Sequence, residues 1–140
     1  MGARRGKEAW ADETAPSLDV IEGLARDALE GLPDAFRALA SGVVVAVQDF
    51  PTDEVLSEMG LESPFDILGL YHGIDQGTRE SAGSGTLPDM VFLYRRPILD
   101  LWAEGEESLR HIVTHVLVHE IGHFFGLSDE EMHRIEDGAA

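Results

Sequence analysis

The chain has 140 residues, ten lysines and arginines against 27 aspartates and glutamates, and no cysteine. That length supports one hydrophobic core rather than two domains, the 44% hydrophobic content is too high for a disordered chain, and the lack of thiols excludes disulfide frameworks and cysteine-ligated metals. A formal charge of −17 argues against binding nucleic acid through its phosphates, and no apolar run approaches the ~20 residues of a membrane span.

Residues 1–17 carry three basic and three acidic side chains, include Gly2, Gly6 and Pro16, and show no apolar period. They read as a flexible tail, so the whole negative charge falls on a body spanning residues 18–140. The tail lacks the apolar stretch of a signal peptide, which makes the cytoplasm the expected location. Ser17 is a cap for a helix to about Leu29, with Leu18, Ile21, Leu24, Ala25, Ala28 and Leu29 at helical spacing. Pro33 suits the first position of a short second helix. The run Val43–Gln48 is β-branched and almost continuously apolar, the pattern of a buried strand. A helix capped by Thr52 is expected to Met59, then a short strand over Leu68–Gly73. The polar, glycine-rich stretch Gln76–Gly85 reads as a mobile loop. Met90–Arg95 is a second clear strand that Pro97 should end. Glu104, Glu106 and Glu107 then suit the start of a long helix, where the dipole favours negative charge, running to about Phe125. A final helix starts near Ser128. Strands interleaved with helices make the expected class α+β, with a small mixed sheet packed on that long helix.

Five of the six histidines lie in the last thirty residues. His119 and His123 stand four apart, one turn on the same helical face, which lets both imidazoles reach one metal ion at about 2.0–2.1 Å. Glu120 between them completes His-Glu-x-x-His, the arrangement in which the glutamate serves as general base. Gly126 lets the helix stop and the chain turn back, so that Asp129 can approach the same ion as third ligand. Glu130 and Glu131 are its substitutes, and Ser128 with Glu131 also has the form of a capping box. On a helical wheel Leu109, Ile112, Val113, Val116, Leu117, Ile121 and Phe124 share one face, and Glu120 falls near its middle. A carboxylate there needs a partner, because burying it alone costs several kcal/mol, and a metal site would supply one. Gly122, on the histidine side, leaves room for another element. His111 and His115 continue the same line as supporting groups, while His72 and His133 read as surface residues and Met132 as apolar packing.

Taken together, ALEGLPDAF, VVVAVQDFP, LGLYHG, LPDMVFLYRRPI and VLVHEIGHFFGLSDEEM give the chain a resemblance that runs from about Leu18 to Glu136. It resembles the small bacterial zincin-like metallopeptidases, also called minimal metalloprotease-like proteins. The resemblance implies a one-domain zincin-like fold, zinc bound by His119 and His123, Glu120 as base, and aspartate, here Asp129, as third ligand. The implied activity is a zinc-dependent peptide hydrolase that uses a metal-activated water on a peptide or protein substrate. Tyr71, Tyr94 or His115 is then a candidate donor to the oxyanion, and Met90–Arg95 a candidate edge strand for an extended peptide. Arg95 and Arg96 are expected to form salt bridges. The competing reading is a non-enzymatic, zinc-stabilised interaction module, which a closed four-ligand site containing His115 or a second carboxylate would favour.

Overall fold

Each of the longer helices that opens on a serine or threonine takes its first turn from that residue's side chain. In a computed structural model of the chain, which describes residues 10–73 and 87–138, helix α1 is Leu18–Gly31 and the Ser17 hydroxyl accepts from Val20 N–H. Helix α2, Asp34–Ala40, begins after Pro33. Strand β1 is Val43–Gln48. Helix α3, Asp53–Met59, is capped by Thr52 and closes on Gly60 in the left-handed region. A single 3-10 turn, Pro64–Asp66, leads into strand β2, Gly69–His72. Strand β3, Asp89–Tyr94, runs directly into helix α4, Arg95–Glu104. Helix α5, Leu109–Phe124, is capped by Ser108, and helix α6, Asp129–Asp137, by Ser128. Among the described residues this makes six α-helices and a three-stranded mixed sheet, an α+β fold. None of these helices is long and apolar enough to cross a membrane.

The sheet order is β1-β3-β2, with β1 parallel and β2 antiparallel to β3. Two expectations change here. Met90–Arg95 is not an edge, because β3 (Asp89–Tyr94) is bonded on both sides, and among the described residues the edges are β1 and β2. Nor is β1 buried throughout. Val43, Val45 and Val47 pack on the core while Val44 is exposed, so its continuous apolar run lies on a sheet covered mainly from one side.

A further correction concerns the stretch after β3. The strand does end before Pro97, at Tyr94, but a helix follows at once, and Pro97 sits at the third position of α4, whose N–H has no partner inside a helix anyway. Glu104 closes α4, Gly105 caps it, and Glu106 and Glu107 precede α5 rather than starting it. Arg95 does form the expected salt bridge, to Asp49 at 2.9 Å, and its Nε donates to the Pro16 carbonyl at 2.6 Å. Arg96 instead lies over the Phe50 ring at 5.4 Å.

The core lies between the sheet and the helices α1 and α5. It is built from Ile21, Ala25, Phe36, Val91, Leu93, Ile98, Val113, Leu117 and Ile121, and Met132 of α6 joins it. Helix α5 is the hub, touching α1, α4, α6, β2 and β3. Two glycines set how closely its neighbours approach. A Cβ on Gly69 would stand 2.6 Å from Val116 Cγ1 and 2.8 Å from the Phe92 carbonyl oxygen, so β2 lies flush against α5 only because position 69 has no side chain. A Cβ on Gly122 would stand 2.5 Å from Met132 Sδ. The room expected beside Gly122 is therefore filled by α6, and Met132 packs there with no exposed surface.

Candidate metal centre

Helix α5 carries His115, His119 and His123 at successive four-residue steps, so their rings follow one another along one side. Ring centroids are 4.0 Å apart for His115 and His119 and 5.7 Å for His119 and His123. Beyond Phe124 the helix closes on Gly126 at φ 80°, with Leu127 N–H donating to the Gly122 carbonyl at 2.9 Å. That reversal places α6 back against α5. Asp129, the first residue of α6, comes within 3.6 Å of His123 Nε2.

Each of His119, His123 and Asp129 offers one ligand atom, and these atoms all lie within 4.8 Å of one another. Ligands on a tetrahedral ion with bonds near 2.0–2.1 Å stand about 3.3 Å apart, so this set needs only a modest closing of exposed side chains to fit a divalent cation. Two imidazole nitrogens and a carboxylate oxygen also suit a borderline cation in a chain without thiols. The neighbouring carboxylates are engaged elsewhere. Glu131 accepts from Ser128 N–H at 3.0 Å, and these hydrogen bonds hold its carboxyl below the usual carboxylate range. Glu130 pairs with Arg134 at 3.2 Å. Of the three acids considered for this turn, Asp129 is the one turned towards His123.

Glu120 departs from the wheel in one respect. It is half-buried rather than sunk in the apolar face, and β2 passes beside it. Its Oε1 accepts the backbone N–H of Tyr71 at 3.3 Å. Burial pushes the Glu120 carboxyl above its ordinary range, while the Tyr71 hydrogen bond and the nearby His123 pull it partly back. The buried Tyr94 phenol is pushed up as well, by burial and by the Glu120 charge. The far end of the wheel also differs, since Phe124 is exposed and its ring stacks on Tyr71 at 4.0 Å. The Tyr71 hydroxyl is engaged with Asp89 Oδ2 at 2.7 Å.

One residue near the histidines has no counterpart in the sequence reading. Glu136 of α6 places Oε1 2.8 Å from His115 Nδ1 and Oε2 2.9 Å from His119 Nε2. A signal existed: Glu136 lies four residues after Met132, one turn along the face that meets Gly122. The outer histidines behave as surface groups. His111 pairs with Glu107 at 2.8 Å, and His72 and His133 are exposed, the latter with its ring centroid 6.2 Å from that of His119. His115, His119 and Glu120 line a cleft of about 280 Å³, whose opposite wall is formed by Asp66, Ile67, Leu68 and Gly69. Gln76–Gly85, expected as a loop, lies outside the described residues.

A family model described as zincin-like metallopeptidase matches residues 40–139, which includes every element from the end of α2 to α6. No curated protein matches the chain.

Proposed function

The chain belongs to the zincin-like metallopeptidase family, and from that premise we propose that it is a zinc-dependent peptide hydrolase whose general base is Glu120. His119, His123 and Asp129 hold the ion in this reading. When bound, zinc supplies a Lewis acid and lowers the pKa of water towards ~7. Glu120 takes the proton of the attacking water and passes it to the departing amine nitrogen.

The observation that carries the proposal is the convergence of the His119, His123 and Asp129 ligand atoms within 4.8 Å of one another, beside a Glu120 carboxylate held by the Tyr71 N–H. A base must hold a proton well enough to remove it, and burial beside β2 raises this carboxyl in the required direction. A base must also be aimed. The Tyr71 N–H holds one oxygen and leaves the other for a proton. The substrate is a peptide or protein segment. It would lie in the cleft against β2, since β2 is the sheet edge beside α5 whereas β3 has no open side.

Glu120→Gln tests the proposal. It preserves shape and can still accept from Tyr71 N–H. Expected is a protein that binds zinc as the parent does and cleaves no member of a peptide library analysed by mass spectrometry. Cleavage at the parent rate would overturn the assignment of the base.

One observation favours a second reading, the zinc-stabilised interaction module. His115 and Glu136 stand close enough to His119 to close a site with protein ligands alone. A zinc-loaded structure with four protein ligands, together with no cleavage by the parent chain, would support that reading instead.

A further inference from the structure

Helix α5 carries two histidine pairs at the ligand spacing, and only one of them belongs to the His-Glu-x-x-His motif. The other is His115 with His119, and α6 lays Glu136 across both rings, one carboxylate oxygen to each nitrogen at 2.8 and 2.9 Å. The ligand atoms of these three residues also lie within 4.8 Å of one another. We propose that His115, His119 and Glu136 form a second divalent-cation site, sharing His119 with the His119–His123–Asp129 set, and that it takes a zinc-like cation. The proposal does not depend on hydrolysis, so a failure of Glu120 as base would leave it standing.

Three features carry it. The first is burial. The Glu136 carboxylate is 10% exposed against 83% for Asp129, while His115 at 47% and His123 at 58% are both open to solvent and His119 is common to the two sets. A carboxylate so withdrawn from water needs a positive or strongly donating partner, and a cation between it and two imidazoles satisfies all three groups at once. The second is spacing. The two separations between Glu136 and the histidines have to open by only about 0.5 Å to reach the ~3.3 Å between ligands of a tetrahedral ion. The third is how the ligands are fixed. Both histidines sit in the middle turns of α5, and Glu136 is one turn from Met132, which is locked against Gly122 with no exposed surface. Asp129, by contrast, is at the first residue of α6 and exposed. The donor set of two nitrogens and one oxygen selects zinc-like cations over calcium or magnesium, which prefer oxygen. His115 and His119 line the same cleft as Glu120, so the second site borders solvent on one side and is not sealed.

The experiment uses the full chain with His123→Ala and Asp129→Ala combined, which removes two ligands of the first set and none unique to the second. Zinc is titrated in competition with a chromophoric chelator, and circular dichroism confirms folding. Expected is one zinc per chain, with affinity lowered more than tenfold when Glu136→Gln is added. A folded double variant that binds no zinc, or one whose affinity ignores Glu136→Gln, overturns the proposal. Should the double variant not fold, nuclear magnetic resonance of the histidine rings in the unaltered chain decides. Zinc at saturation shifts the His115 ring nitrogens by ligation. A His115 ring that keeps its metal-free spectrum overturns the proposal.

Discussion

Replacing Gly69 by alanine isolates the contact that holds the edge strand to the histidine helix. In most strands this change raises stability by about 0.4–1 kcal/mol, because alanine restricts the unfolded chain. Here the new methyl would stand 2.6 Å from Val116 Cγ1 and 2.8 Å from the Phe92 carbonyl oxygen. Both are about 0.7 Å or more inside normal carbon contact. Val116 can rotate, but the Phe92 oxygen belongs to the backbone of the central strand and is bonded on both sides, so β2 itself has to move. Overpacking of this kind costs about 1–3 kcal/mol. Taking about 2 kcal/mol, a chain of this size should melt about 6 °C lower. The assay is a pair of thermal melts in chelator, so that metal binding does not enter. A second readout is specific to the geometry. Moving β2 away from α5 lengthens the Tyr71 N–H···Glu120 bond, so the Tyr71 amide should exchange with deuterium faster than it does in the parent. A Gly69→Ala protein that melts at or above the parent temperature, with that amide unchanged, would refute the close approach.

Other outcomes follow from the same contacts. In metal-free protein, Glu120→Gln should raise the melting temperature at neutral pH and lose that advantage in acid. Burial puts the folded carboxyl above its ordinary value of 4.5, so Glu120 favours the folded state below the unfolded pKa and loses that contribution as pH rises through the folded pKa. Parallel melts at pH 7 and about pH 4 check the sign; an equal gap at both would refute it. Met132→Ala should cost about 2–5 kcal/mol in a urea melt, since it empties a fully buried position. Gly122→Ala should destabilise the parent yet stabilise the Met132→Ala protein, where the clash with Sδ is gone and alanine gains about 1 kcal/mol of helix propensity. Additive effects in that cycle would show that α6 does not seat on Gly122.

Features of the fold that arise within one or two turns were legible in the residues. Ser17, Thr52 and Ser128 announce their helices because a cap is a local hydrogen bond, and Gly126 announces its turn because few other residues take a positive φ. His119, Glu120, His123 and Asp129 were legible for the same reason, their spacing being a property of one helix and the turn after it. What was hidden depends on long-range placement. Val43–Gln48 and Met90–Arg95 read alike as strands, and nothing in either says that the second lies in the middle of the sheet. Pro97 read only as the end of a strand because proline cannot donate to a ladder, and the same missing N–H suits the first turn of a helix equally well. Glu136 escaped because its partners are 21 and 17 residues earlier, across the contact between two helices. Even there, the step of four from Met132 marked the face that would meet α5.

The hydrogen bond from Tyr71 to Glu120 is made by the peptide group and not by the tyrosine ring. Every amino acid except proline carries that donor, so almost any substitution at position 71 leaves the orientation of the carboxylate in place. The ring is then free to vary for other reasons, such as its stacking on Phe124. Aim is thus written into the path of the backbone, and it is lost only where the path changes: by proline at 71, or by a side chain at 69 that pushes the strand away. Sequence variation at a site of this design is a poor guide to which positions govern it, because the residue that supplies the donor tolerates change and the silent glycine two places earlier does not.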